Sequence, residues 1–196
     1  MTDAGGRGAG PATPNDPLAP LLDGRPVVID GGLATELEAL GHDLSDRLWS
    51  ARLLADEPEA IVEAHLAYFR AGARVAITAS YQATFEGFAA RGLDRLAAAA
   101  LLRRSVELAG DARARHRAEV APADPGPLLV AASVGPYGAF LADGSEYRGD
   151  YRLGRAALRD WHRDRFRVLR DAGPDLLACE TIPVVAEAEA LSDLLA

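Results

Sequence analysis

The 196-residue chain contains no lysine; all 21 of its basic residues are arginine. That bias is compositional and points to no function. Cysteine is nearly absent as well, with Cys179 alone, which excludes an internal disulfide and suggests a reducing compartment. No apolar run is long enough to span a membrane. The N-terminus lacks the basic and apolar regions of a secretory signal, so a cytoplasmic protein is expected. Positive charge is in short supply: 29 acidic residues outweigh the arginines and leave a net charge of −8. That balance argues against nucleic acid or an anionic membrane as the main partner. The GxGxxG spacing is missing from Asp30-Gly31-Gly32, and the acid there would repel phosphate, so this is no phosphate cradle.

What is present is a globular composition, 49% apolar and 26% charged, enough for one domain with a real core or part of a larger one. Residues 1–22, rich in Gly, Ala and Pro without a period, read as a disordered tail ahead of a domain over 23–196. Strand-like runs then begin at Val27 (VVID), Val75 (VAITAS), Leu128 (LLVAASV) and Leu176 (LLACET). Their starts lie roughly 50 residues apart with helix-patterned segments between, the mark of βα units. The first helix is announced by Asp56 and Glu57 before Pro58. Val62, Leu66, Phe69 and Ala73 form its core-facing stripe, and Gly72 is placed to end it. Further helices are expected over about 93–119 and 153–171, and a fourth after Pro183 that is still running at Ala196.

Helix-to-strand connections are short (72–74, 173–175), whereas strand-to-helix connections are long (32–57, 81–92, 135–152). In parallel βα proteins function gathers at the C-terminal ends of strands, so the long loops mark the working face. The residues there are Asp30-Gly31, Ser80-Tyr81, Gly135-Pro136-Tyr137 and Glu180-Thr181. The VVID run reads as a strand buried on both faces, with Asp30 facing a pocket mouth. Gly31-Gly32 would let the backbone turn or approach a ligand closely. The plain alternative is an Asp-Gly-Gly turn with no ligand.

These stretches resemble the homocysteine S-methyltransferase family. The matching segments are IDGGLATELEALG (29–41), LWSA (48–51), AGARVAITASYQATFEGF (71–88), GPYGAFLADGSEYRGDY (135–151) and LLACETIP (176–183). The resemblance implies a (β/α)8 TIM barrel that moves a methyl group from S-methylmethionine or S-adenosylmethionine to the homocysteine thiol, with zinc held by three cysteines. It also implies that Asp30 and Gly31 hold the amino-acid end of homocysteine, that Glu180 is the second carboxylate on its ammonium, and that Tyr81 lies in the pocket. A free thiol, with a pKa of about 8.5, is mostly protonated at neutral pH, and zinc deprotonates a bound one. Holding thiolate and sulfonium in line can contribute about 7–11 kcal/mol, which gives two carboxylates on the ammonium a purpose.

The family's zinc cysteines lie in its C-terminal half and are absent from this chain, so no metal ligand is assigned. Cys179, inside the fourth strand, is expected to be a buried, inert packing residue. Four βα units are half of an eight-stranded barrel, with two open sheet edges. A truncated chain, inactive on its own, is therefore expected.

Other candidates take plainer readings. His65, on a helix far from the strand ends, reads as structural, His42 as a turn or surface residue, and His116 and His162 as surface residues. Arg113, Arg115 and Arg117 read as a solvated helix end. Asp143, Glu146 and Asp150 are spaced loosely enough for a hard cation, but a structural acidic loop is expected. Two other functions stay open: a barrel hydrolase or lyase using Asp30 and Glu180 as acid and base, and a non-catalytic amino-acid-binding module.

Overall fold

The computed structural model describes residues 16–21, 24, 26–44, 49–123 and 126–195. Most of the tail expected over 1–22 therefore lies outside the described residues; within it, Ala19–Leu21 form a 3-10 turn. In chain order the elements are α1 (Leu33–Ala39), α2 (Trp49–Asp56), α3 (Pro58–Arg70), β1 (Val75–Ile77), α4 (Phe85–Ala90) and α5 (Arg95–Val120). Next come β2 (Leu129–Val134), α6 (Tyr137–Leu141), α7 (Ser145–Arg148), α8 (Arg155–Asp171), β3 (Leu176–Cys179) and α9 (Val185–Asp193). The strands form one parallel sheet in the order β1-β2-β3. The expected long strand-to-helix loops are real connections, but short helices build them: α1 and α2, then α4, then α6 and α7.

The period of two in the strands sorts their side chains between two faces. Ala76, Val130, Ala132, Val134 and Leu177 join the main core with α3, α5 and α8, which supply Leu66, Phe69, Leu102, Leu108 and Phe166. Val75, Leu129 and Ala131 lie on the other face with Ile77, Leu176 and Ala178, covered in part by Leu18 and Leu21. The helix boundaries follow local chemistry. Pro58 sits in the first turn of α3, and Asp94 caps α5 by accepting the Ala97 N–H at 2.8 Å. Thr84 caps α4 through the Gly87 N–H at 2.9 Å. Among the described residues no helix is long and apolar enough to cross a membrane.

Several expectations are corrected here. The VVID run is not a fourth strand. It pairs with β1 through one isolated bridge, Ile29 to Val75, flanked by hydrogen bonds from Arg74 N–H to Val28 O (2.7 Å) and Asp30 N–H to Val75 O (3.0 Å). Val28 and Ile29 are 57% and 53% exposed, not buried on both faces. The reason is positional: among the described residues this segment has a sheet neighbour on one side alone. The last helix does not run on to Ala196; α9 closes at Asp193 with Leu194 as its C-cap. Arg113 is no solvated helix end. Its guanidinium donates to Asp175 Oδ2 at 2.6 Å, and the same oxygen accepts the Val130 N–H at 2.7 Å, tying α5 to the entry of β2.

His116 and His162 are buried, not surface residues. His116 stacks on Phe69 at 6.0 Å between ring centroids, so its ring serves as core. His162 donates from Nε2 to Glu187 Oε1 at 2.8 Å. Fully buried Glu187 also accepts the Tyr137 N–H at 2.6 Å and a short hydrogen bond from the Tyr151 hydroxyl. Burial alone would raise the Glu187 pKa, but these donors, His162 first, together hold it below the usual carboxylate range. Burial in turn lowers the pKa of His162, which stays a neutral donor. This carboxylate fastens the 135–151 connection to α8 and α9.

Glu187→Ala strands three donors in the core and is expected to cost about 3 kcal/mol in urea unfolding at neutral pH. Because the folded pKa is depressed, this contribution is full above about pH 4.5 and is lost as the pH falls through the folded value. An unchanged unfolding midpoint would contradict the role.

Candidate functional site

At the C-terminal ends of the strands lies a cleft of about 380 Å³, lined in part by Gly31, Gly32, Tyr81, Ser133, Glu180 and Thr181. Its floor is a set of hydroxyls that account for one another's protons. Ser80 Oγ donates to Ser133 O at 2.8 Å, so the 2.7 Å contact between Thr78 Oγ1 and Ser80 Oγ must carry the threonine's proton. Thr78 Oγ1 in turn accepts the Ser133 N–H at 3.0 Å. That leaves the Ser133 hydroxyl free to donate to Glu180 Oε1, at 2.5 Å. Thr78, Ser80 and Ser133 are all buried, and Glu180, partly exposed, is the charge they present to the cleft.

Asp30 stands differently from the pocket-mouth acid the sequence suggests. Its side chain is 2% exposed and turns toward α3, behind the Gly31-Gly32 wall. Oδ2 accepts the Ile77 N–H at 2.7 Å, while Oδ1 is buried without a hydrogen-bond partner. Desolvation pushes the Asp30 pKa up to about 7; the Ile77 N–H opposes this, and the nearby Glu180 charge adds to it. The two acids are thus electrostatic neighbours, one open to the cleft and one behind it.

His65 is not far from the strand ends, as expected, but lies against Asp30. Nδ1 is 3.9 Å from Oδ2, and both ring nitrogens are buried without a partner. Burial pushes its pKa down to about 4, so below pH 7 and above 4 the two groups are mostly neutral and form no ion pair. A Cβ at Gly31 would come within 3.0 Å of the Tyr68 hydroxyl, which donates to Gly32 O at 3.0 Å, so a larger residue there would press on that side chain. Gly32 is the N-cap residue of α1.

Tyr81 lines the cleft, and burial raises its pKa, against a hydrogen bond with the Thr181 side chain. Thr181 has φ +55°, a strained backbone for a β-branched residue, placed next to Glu180. Behind Tyr81, the buried Arg165 donates to Gly135 O at 2.8 Å.

Cys179 is exposed and not packed, because β3 is the outer strand of the described sheet. The protein around it still raises the thiol pKa, with Arg165 acting the other way. Among the described residues no three His, Cys, Asp or Glu side chains are grouped to hold a metal ion. Cys179 and Glu180 are strand neighbours that point to opposite faces, so these residues do not fit a metal and no step is routed through one. Asp143 accepts the Ser145 N–H at 2.9 Å, and Arg148 Nε donates to Asp150 at 2.9 Å, so the acidic loop is internally cross-linked. His42 bonds Glu57 at 2.8 Å, beside Arg52 at 2.7 Å, and fastens the first connection to the start of α3.

Sequence reasoning missed Ser133 and Thr78, and it read His65 as a structural residue away from the site. The signal for Ser133 was there, as the one hydroxyl at an inward position of the apolar run LLVAASV. For His65 the signal is weaker: it shares a helix face with the apolar stripe.

A family model described as homocysteine S-methyltransferase matches residues 27–196. The homocysteine S-methyltransferase of Escherichia coli (strain K12) is 59% identical over 182 residues, which are 92% of this chain and 58% of that protein. Homocysteine S-methyltransferase YbgG of Bacillus subtilis (strain 168) is 52% identical, with the same shares covered. The crystal structure of the metallated form of the homocysteine methyltransferase MmuM from Escherichia coli superposes with a TM-score of 0.86 at 58% identity, over 91% of this chain and 62% of that one. The chain thus spans somewhat more than half the length of these relatives.

A Cβ at Gly135 would lie 2.6 Å from the Tyr81 carbonyl oxygen and 2.7 Å from its ring. Backbone cannot yield as a flexible side chain would. Gly135→Ala is therefore expected to destabilise the fold by about 1–3 kcal/mol, read as a lower melting temperature. An unshifted melt would refute the close approach.

Proposed function

The chain belongs to the homocysteine S-methyltransferase family, and from that premise we propose that its cleft is the amino-acid half of a methyl-transfer site. The observation that carries the reading is the pairing of a presented carboxylate, Glu180 on Ser133, with a second carboxyl, Asp30, whose Oδ1 has no donor. A ligand ammonium supplies what both lack: a cation and several N–H donors. An unpartnered buried acceptor costs about 1–3 kcal/mol, which ligand binding would offset. Glu180 takes the ammonium directly from the cleft, and Asp30 receives it from behind the glycine wall once its own proton has left. Gly31 leaves room for close approach, and Tyr81 forms part of the wall.

In the proposed reaction the homocysteine sulfur loses its proton and takes the methyl group of a sulfonium, S-methylmethionine or S-adenosylmethionine. A neutral thioether leaves and methionine is formed. The residues of this chain do not touch the sulfur chemistry in this scheme. They fix the amino-acid end so that the thiol has one direction to face. We read the described sheet, with its leading bridged segment, as the first part of a (β/α)8 barrel, and zinc as a ligand of residues other than those described.

The acid–base alternative draws on the raised Asp30 pKa of about 7. It separates cleanly from the methyltransferase reading. Changing Glu180 would then abolish turnover and spare affinity, whereas an ammonium acceptor shows its loss in binding.

Two outcomes are expected. By calorimetry, Glu180→Gln weakens homocysteine binding roughly tenfold or more, since a hydrogen bond to a charged group is worth about 1.5–3 kcal/mol. In the unchanged protein, affinity falls as the pH drops from about 7 to 5, approaching tenfold per unit, because a proton on Asp30 competes with the ammonium. A flat profile over that range contradicts the role of Asp30.

A further inference from the structure

The buried side of the site holds polar atoms without hydrogen-bond partners on two neighbouring residues, Asp30 and His65. His65 is fully buried in α3 with neither ring nitrogen hydrogen-bonded, and Asp30 Oδ1 is likewise alone. Nδ1 of the histidine stands 3.9 Å from Asp30 Oδ2, about an ångström beyond a hydrogen bond. One turn further along the same helix, Tyr68 donates to Gly32 O and packs over Gly31. The helix α3 therefore braces three consecutive residues, Asp30, Gly31 and Gly32, from behind. The charge that acts on Asp30 is acidic, Glu180 at the end of β3, while the nearby Tyr68 phenol of α3, whose own pKa is raised by burial, Glu36 and Asp30, is neutral. A donor on the buried side is what an ionised Asp30 lacks.

We propose that His65 is a positioning residue for the ammonium site, its Nδ1–H donating to the Asp30 carboxylate and holding it ionised and aimed at the ligand nitrogen. This rests on the reading of Asp30 as an ammonium acceptor. While Asp30 keeps its proton, the pair stays apart as two neutral groups. When the ligand cation displaces that proton, the carboxylate draws in the histidine N–H, and the 3.9 Å gap closes. The histidine need not be charged: a neutral ring donates from one nitrogen, and burial keeps this ring neutral at physiological pH.

The test is an NMR titration of the Asp30 side-chain carbon in the 196-residue protein, with His65→Leu and His65→Asn beside the unchanged chain. His65→Leu is expected to raise the Asp30 midpoint by about one unit from its value near 7. His65→Asn, whose amide can donate from nearly the same place, should hold the midpoint within a few tenths. Homocysteine affinity at neutral pH then falls about fivefold in His65→Leu and recovers at about pH 8.5. A midpoint unmoved in His65→Leu, or an affinity loss equal at every pH, reduces His65 to packing and overturns the proposal. Should His65→Leu fail to fold, the ring tautomer of the unchanged protein at about pH 8.5 decides: a proton on Nδ1 supports the proposal and one on Nε2 overturns it. If the midpoints move as described while homocysteine binds at no pH, the pairing of His65 with Asp30 stands and the proposed function falls.

Discussion

The Asp30 carboxyl is held by one hydrogen bond, from the Ile77 N–H, in a place that water barely reaches. Its partner helix offers a histidine just out of bonding range, and its acidic neighbour Glu180 makes ionisation harder still. In the ligand-free protein this carboxyl is therefore poised near neutrality, at about 7, far from an ordinary aspartate. Ionising it without a cation is unfavourable. A ligand that brings a cation changes that balance, and the surrounding architecture serves to hold the carboxyl in this state.

The parallel sheet supplies the placement. Because β1, β2 and β3 run the same way, their C-terminal ends bring Thr78, Ser133 and Glu180 to one cleft, with Ser80 buried beneath them. Parallel pairing obliges each strand to return through a helix, and α5 and α8 form the layer that buries the apolar sides of the strands. The connections on the working side then carry the polar chemistry. Glu187, in the first turn of α9, is the counterpart of Asp30: fully buried, but supplied with three donors, two of them from the 135–151 connection, and therefore ionised. One buried acid lacks donors and waits; the other has them and locks its loop in place.

Much of the frame was legible in the sequence. Pro58 and the Val62, Leu66, Phe69 stripe gave α3, and the long strand-to-helix connections pointed to the end of the sheet where the cleft lies. The family resemblance agrees with the match over residues 27–196. What was not legible depends on neighbours distant in sequence. VVID has the composition of a strand buried on both faces, but that burial needs neighbours on both sides, and composition does not report them; here the segment makes one isolated bridge to β1. His116 and His162 sit in arginine-rich helices, yet each lands on a buried face, one against Phe69 and one on Glu187. His65 looked remote because it sits on a helix and not at a strand end, yet α3 packs that helix position against Asp30. Thr181 was placed at a strand end by the sequence, but its positive φ was not legible there, since β-branched residues seldom adopt it.

The account's central claim is that the ligand's ammonium meets both strand-end carboxyl groups. A crystal structure of this chain with bound homocysteine tests it most directly. The account predicts the amino nitrogen within about 3 Å of a Glu180 oxygen and of Asp30 Oδ1, with the His65 ring drawn up to Oδ2. Homocysteine bound with its carboxylate toward Glu180, or with Asp30 still turned away and unpartnered, would contradict it.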